Sequence, residues 1–331
     1  MNKIAIVGAS GMVGRNFIKI LETRKFPVDE IFLFASGRSA GQKIKFCGKD
    51  ITIEELTPSV FENRGIQYAL FGVSNELSKK YAPIAVEAGC IVIDNSSAWR
   101  METDIPLIVP EVNGEDIILM NRGIIANPNC CAAPAVVALK PLQKTFGLKR
   151  LVISTYQSVS GAGVGGMEDL ENTANGKAPN QFQHPIAFNL IPHIDRFHAD
   201  GYTGEEKKLM AEIRKMLHQP ELPVTATCVR VPVKIGHSLS INVTLNEAFK
   251  LEDIRQMLSK SLGVVLSDDP LNNIYPMPIT AEGTDSVFVG RIRRDDSLPN
   301  SLNMWISCDN TRKGAALNAV QILELIVKKA S

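Results

Sequence analysis

Ile4-Ala5-Ile6-Val7-Gly8-Ala9-Ser10-Gly11-Met12-Val13-Gly14 decides the fold class: apolar, strand-forming residues run into a glycine-rich turn, and the turn runs into a helix predicted over about 12–21. The glycines at 8, 11 and 14 give G-x-x-G-x-x-G, a variant of the dinucleotide fingerprint in the strand–turn–helix context that gives the motif meaning. Glycine lets the backbone turn tightly and approach a pyrophosphate, whose charge the first helical N–H groups meet. Candidate cofactor contacts are therefore Gly8, Ser10, Gly11, Met12, Val13 and Gly14. Strand-like stretches at 31–34, 68–72 and 91–94, with a helix near 78–88, continue the alternation and predict a parallel sheet with crossover helices.

Past Cys130 the texture changes. Long strand-like runs occupy 149–158, 224–235 and 238–245, with helices near 203–218 and 251–262, which predicts a mixed or antiparallel second domain. The segment 314–329 spaces Leu317, Val320, Leu323 and Ile326 as an amphipathic helix expected to pack back on the first domain. Stretches 173–186 and 294–301 read as loops.

The 331 residues carry 36 Lys+Arg against 35 Asp+Glu, so no broad basic footprint for nucleic acid exists. The longest uncharged stretches hold Asn, Pro and Gly and fall short of the ~20 apolar residues of a membrane helix. The amino terminus enters a strand without a signal-peptide pattern, so a cytoplasmic location is expected. Six cysteines, with no C-x-x-C pair, are expected as reduced thiols.

In many dinucleotide-binding domains the second strand ends in a carboxylate that holds the ribose hydroxyls. Here it ends Phe34-Ala35-Ser36-Gly37-Arg38-Ser39, and Arg38 with Ser39 suit a 2′-phosphate, so NADP is the expected cofactor. Asn127-Pro128-Asn129-Cys130 precedes a helical run from Cys131 to Leu139. A thiol at a helix N-terminus meets the positive end of the dipole, which favours the thiolate. Cys131 reads as a buried structural residue, because the next residue on a helix faces about 100° away.

The chain resembles the aspartate-semialdehyde dehydrogenase family, bacterial type, from the first strand to the last helix. The resemblance rests on the glycine loop, Ala35-Ser36-Gly37-Arg38-Ser39-Ala40-Gly41, Asp94-Asn95-Ser96-Ser97-Ala98-Trp99-Arg100-Met101, Asn127-Pro128-Asn129-Cys130 and Ser154-Thr155-Tyr156-Gln157-Ser158-Val159-Ser160-Gly161-Ala162-Gly163. It also rests on Cys228-Val229-Arg230-Val231-Pro232-Val233 with Gly236-His237-Ser238, and on Phe288-Val289-Gly290-Arg291-Ile292-Arg293. The resemblance implies an α/β architecture, with a Rossmann-type NADP-binding domain over 1–130 and 311–331. An α+β catalytic and dimerisation domain with a mixed sheet would occupy 131–310. It implies NADP-dependent interconversion of L-aspartyl-4-phosphate and L-aspartate 4-semialdehyde, in the biosynthesis of lysine, methionine, threonine and isoleucine. The partners implied are the small-molecule substrate, inorganic phosphate and a second copy in a homodimer.

By the same resemblance, Cys130 forms the acyl thioester, His237 is the general acid/base and Gln157 orients the substrate. Arg230, expected on the same strand-like run as His237, holds the substrate α-carboxylate through paired hydrogen bonds. Thr203-Gly204-Glu205-Glu206 has the capping-box pattern of a helix start. Glu205 would then contact the substrate amino group, and Lys208, three residues on, the phosphate with Arg100; Lys207 is the alternative in registration. Ser160, Gly161 and Asn310 are implied cofactor contacts. A metal is not expected, because His193 and His198 do not share a helical face.

The pattern departs from the family at Cys131-Ala132-Ala133-Pro134-Ala135, where Ser-Thr-Ile-Gln-Met is common. Leu239 replaces a frequent Glu and Trp99 replaces Phe. Two rival readings are N-acetyl-γ-glutamyl-phosphate reductase, which shares fold and thiol logic, and a non-catalytic homologue. The latter predicts loss of Cys130 or His237, and both are present.

Overall fold

The structure, a computed structural model, describes residues 2–330. It divides into two compact units, one made by the chain up to Pro128 together with the stretch from Ala315 onward, the other by Asn129–Gly314.

In the first unit β1 (Lys3–Val7), α1 (Met12–Thr23), β2 (Glu30–Ala35), β3 (Lys43–Phe46), β4 (Lys49–Glu55) and β5 (Tyr68–Phe71) are followed by α2 (Asn75–Glu87), β6 (Ile91–Asp94), α3 (Pro110–Asn113) and β7 (Ile124–Ala126). The strands form one sheet in the order β3-β4-β2-β1-β5-β6-β7, parallel throughout except between β3 and β4. The chain leaves β1 on one side for β2 and returns on its other side for β5. That reversal opens the crevice where sheets of this kind bind ligands. β5 is buried along its whole length and β1 from Ile4 onward, as strands covered on both faces must be. The last helix, Leu317–Ala330, completes this unit: Leu317, Val320 and Leu323 share a core with Phe17 and Ile20 of α1, and Glu324 pairs with Arg24. A wider helical turn at Arg312–Ala316 precedes it. The β3–β4 hairpin escapes a reading by hydrophobicity because its strands are mostly polar. Positive φ at Cys47 (48°) and Gly48 (78°) makes its two-residue turn.

The second unit contains α4 (Ala132–Phe146), β8 (Leu148–Gln157), α5 (Gly163–Ala174), α6 (Gly204–Met216), β9 (Val224–Arg230), β10 (His237–Leu245), α7 (Leu251–Ser259), β11 (Val264–Leu266), α8 (Pro278–Ala281), β12 (Val287–Arg294) and β13 (Ser301–Cys308). Its mixed sheet runs β11-β12-β13-β10-β8-β9. One face, with Leu151, Ile153, Leu239, Ile241 and Val243, is fully buried; α4 packs on β10 and α6 on β9. The other face, with Val152, Tyr156, Ser240 and Trp305, is half-buried. The run 224–235 is not one strand. β9 stops at Arg230, because Pro232 offers no N–H to a ladder and Gly236 reverses the chain at φ 98°. Arg230 and His237 therefore sit on different strands. Among the described residues no helix is long and apolar enough to cross a membrane.

Gly14 packs its α-carbon on the loop before it: a Cβ there would stand 2.2 Å from the Gly8 carbonyl oxygen and 2.7 Å from the Ala9 Cα. Gly14→Ala is expected to cost about 1–3 kcal/mol by overpacking. Calorimetry should show this as a lowered unfolding transition of the first unit, and NADP titration should show weaker binding.

Candidate active site

Strand register gathers the chemistry of the second unit. Gln157, at the end of β8, lies opposite Arg230, at the end of β9, while Tyr156 of β8 lies opposite Ser238 of β10. His237, opening β10, lies opposite Cys308, closing β13, two residues before Asn310. Gln157, Arg230, His237 and Asn310 thus come to one end of the sheet.

Cys130 reaches the same place from the start of α4. Asn129 fixes it: its Oδ1 accepts the N–H groups of Cys131 (2.8 Å) and Ala132 (3.2 Å), and its own N–H donates to Glu212 (2.6 Å). Gly314 lies against it, leaving no room for a side chain: a Cβ would be 2.8 Å from the Cys130 carbonyl oxygen. Gln157 Nε2 is 4.0 Å from the Cys130 sulfur. The Cys131 thiol hydrogen-bonds to that sulfur and, with the nearby His237 imidazole, holds Cys130 well below the ordinary thiol range despite burial. Burial instead raises Cys131, and pushes Cys90 up to about 11 and Cys228 up to about 12. All six cysteines are free, and Cys47 is exposed. Cys131 is buried, as the sequence reading has it, and its sulfur lies within 4.8 Å of the Cys130 sulfur. The 100° separation applies within a helix, whereas Cys130 precedes α4 and Cys131 is its N-cap, so both sulfurs can turn the same way.

His237 is fully buried. Its Nδ1 is 3.1 Å from the Ser158 N–H and 3.0 Å from the Ser158 hydroxyl. Asn310 stands behind this pair, its Oδ1 accepting from Gly236 N–H (2.9 Å), Ser158 (3.0 Å) and Ser160 (3.2 Å). Gly161 keeps the space in front open, since a Cβ would stand 2.7 Å from Arg230 Nη1 and 3.2 Å from His237 Nε2. Arg230 donates to the Ser158 carbonyl (2.8 Å); burial lowers its pKa, against the attraction of Cys130 and Glu205.

Glu205 enters from the first turn of α6. The capping box is formed, with Thr203 accepting from Glu206 N–H (3.3 Å) and Glu206 accepting from Thr203 N–H (2.7 Å). Glu205 accepts from Asn129 (2.7 Å) and Gln157 (3.2 Å) and pairs with Lys208 (2.9 Å). Burial would raise its carboxyl, but the Lys208 ammonium and these hydrogen bonds outweigh burial and hold it low. Burial works against the Lys208 charge too, and Glu205 with Asp195 raises it. Lys207 turns to Asp200 instead. Asp195 is thereby occupied, and His193 stacks on Phe197 at 4.3 Å.

The remaining candidates belong to the first unit. Gly8, at φ 87°, has the Gly72 carbonyl 2.4 Å from where a Cβ would stand, and α1 begins after Gly11 without a side-chain cap. Ser10, Met12 and Val13 complete this cradle, which suits a diphosphate. Arg38 is exposed and Ser39 half-buried after β2. The sequence hid one neighbour: Glu55, closing β4, comes close to Gly37, with a Cβ there 2.9 Å from its carboxylate. Arg100 is buried, donating to the carbonyls of Asn127 and Asn95 (both 2.9 Å).

Asn129, Ser158 and Glu212 were not anticipated as parts of the site. For Asn129 a signal existed, since Asn before a helix is a capping residue. Ser158 and Glu212 act through partners 79 and 83 residues away, which no local pattern reveals.

At mildly acidic pH, iodoacetamide is expected to modify Cys130 ahead of the exposed Cys47, with Cys90 and Cys228 silent, as peptide mapping would show. Removing the cation at 208 should expose the cost of the buried carboxylate. A carboxyl held low stabilises the fold above its unfolded pKa and loses that contribution as pH falls through the native one. Lys208→Met is therefore expected to move the acid-unfolding midpoint to higher pH and to cost about 1–3 kcal/mol, less than a fully buried pair would.

Residues 3–120 match the family model described as semialdehyde dehydrogenase, NAD binding domain, and residues 139–313 match that of the semialdehyde dehydrogenase dimerisation domain. The chain is 52% identical to an aspartate-semialdehyde dehydrogenase of Aquifex aeolicus, over 99% of this chain and 98% of that one. A crystal structure of aspartate semialdehyde dehydrogenase II from Vibrio cholerae, complexed with ASA, superposes with a TM-score of 0.94 at 44% identity, covering 99% and 98% of the two chains. The enzyme of Candida albicans, solved with NADP, superposes with a TM-score of 0.75 at 28% identity, covering 98% of each chain. The chain belongs to the aspartate-semialdehyde dehydrogenase family.

Proposed function

We propose that this protein catalyses the NADPH-dependent reductive dephosphorylation of L-aspartyl-4-phosphate to L-aspartate 4-semialdehyde and phosphate, through a thioester on Cys130. The observation that carries this reading is the meeting of a lowered thiol at Cys130 with His237, Gln157, Arg230 and Glu205 at one end of a sheet. NADPH supplies a hydride when bound, and the glycine cradle with Arg38 and Ser39 is the site we assign to it.

The Cys130 thiolate attacks the acyl-phosphate carbonyl and phosphate leaves, giving the thioester. Gln157, 4.0 Å from the sulfur and anchored on Glu205, orients the acyl group. Arg230 holds the α-carboxylate with the donors not spent on Ser158, and Glu205 receives the substrate ammonium. Lys208, rather than Lys207, is assigned to the phosphate, since Lys208 lies beside Glu205. After reduction, His237 protonates the oxyanion to give the thiohemiacetal and takes the hydroxyl proton back as the carbon–sulfur bond breaks, releasing the aldehyde and the Cys130 thiolate. Ser158 fixes the ring for this task, with Ser160 and Asn310 behind it. We assign the half-buried sheet face around Tyr156 and Trp305 to a homodimer contact, in keeping with the dimerisation-domain match. A cytoplasmic location suits such a biosynthetic enzyme.

The test is the reverse reaction, following NADP reduction with L-aspartate semialdehyde and phosphate, beside NAD. Phosphate-dependent turnover is expected, lost by more than about a thousandfold in Cys130→Ser. Lys208→Met should raise the KM for phosphate more than it lowers kcat. Turnover with N-acetylglutamate semialdehyde instead would overturn the aspartyl assignment.

A further inference from the structure

We infer that Cys130, Cys131 and His237 form a capture site for a soft divalent metal ion of the Zn2+ class, and that its occupation reversibly blocks thioester formation. The blocking half rests on the function proposed above; the binding half rests on geometry alone.

Two thiol sulfurs and an imidazole nitrogen lie within 4.8 Å of one another, a grouping of three side chains of metal-ligating type. A second observation points into the same space. His237 Nε2 is buried without a hydrogen-bond partner among the described residues, a condition that buried polar atoms rarely keep. Tetrahedral zinc binds sulfur at about 2.3 Å and imidazole nitrogen at about 2.0 Å, which sets its ligands roughly 3.5 Å apart. The three atoms therefore need to close in by up to about 1.3 Å.

The donor set selects the ion. Two sulfurs and one imidazole favour Zn2+ over hard Mg2+ or Ca2+, which take oxygen. Both sulfurs ligate as thiolates, so the metal replaces any thiol proton, which leaves to solvent, with no change of oxidation state. Occupation ties up the Cys130 lone pair that must attack the acyl carbonyl. Cys131 is one of the departures noted in the sequence; the Ser common at that position offers a harder and weaker ligand for this ion.

The surroundings of His237 can support ligation. Ser158 gives its hydroxyl proton to Asn310 and keeps a lone pair 3.0 Å from His237 Nδ1, so it can accept Nδ1–H while Nε2 binds the metal. The Ser158 N–H, 3.1 Å from Nδ1, favours the opposite tautomer in the free protein. Capture therefore includes moving the ring proton from Nε2 to Nδ1.

The experiment uses Co2+ as a spectroscopic probe on the full chain, EDTA-treated and kept anaerobic, in a Cys47→Ser background that removes the exposed thiol. One equivalent of Co2+ should give sulfur-to-cobalt charge-transfer bands and the intense visible absorption of a tetrahedral ion. Zn2+ should displace it and abolish turnover, and EDTA should restore both. In Cys131→Ser the affinity should fall by at least about tenfold, and the charge-transfer intensity should drop. Cys131→Ala, checked for folding by circular dichroism, should behave alike. Zn2+ inhibition relative to each variant's own metal-free rate should fall in parallel. Stoichiometric Co2+ without sulfur bands, or equal Zn2+ sensitivity in wild type and both variants, would overturn the proposal. The cobalt spectrum reads the site even if the aspartyl substrate proves wrong, so the two failures are distinguishable.

Discussion

Register between β8, β9 and β10 is the constraint on which the second unit's chemistry depends. Gln157 can face Cys130 and lean on Glu205 only while it stands opposite Arg230, with Tyr156 opposite Ser238. A slip of one residue would turn every side chain of β8 to the other face and send Gln157 to the half-buried side. The buried row of Leu151, Ile153, Leu239, Ile241 and Val243 forbids that slip, because it would bring apolar side chains out of the core. Packing on one face thus sets the position of polar groups at the strand ends.

Those polar groups are buried together, and their charges are balanced locally. Glu205 stays ionised because Asn129, Gln157 and Lys208 meet its oxygens. Cys130 stays low because a second thiol donates to it and an imidazole stands near. The ladder of hydrogen bonds from Asn310 through Ser158 to His237 fixes the ring without adding charge. Small residues matter as much as charged ones here. Gly161 in front of His237 and Gly314 against Cys130 occupy positions where a single methyl group would meet the reacting side chains or their backbone.

The first unit shows how far local pattern carries. Ile4 through Gly14 specified a strand, a tight turn and a helix because each step has a local physical cause: apolar strand formers, a glycine at positive φ in Gly8, and an uncapped helix start. The β3–β4 hairpin and Glu55 beside Gly37 were invisible, since edge strands are polar and the approach of Glu55 depends on the pairing of β4 with β2. The strand read over 224–235 failed for a different reason: its apolar content continues past Arg230, while Pro232 and Gly236 end the ladder.

The dinucleotide loop and the capped start of α6 are legible in the sequence because motifs and caps are local, and the family resemblance named the thiol, histidine and arginine proposed to carry the chemistry. Folding alone places Arg230 and His237 on separate strands flanking Gln157, sets Lys208 and not Lys207 beside Glu205, and brings the Cys131 sulfur within 4.8 Å of the Cys130 sulfur. These depend on strand register, on the face a helix turns inward and on a chain that bends just before α4, each fixed by burial of residues distant in sequence.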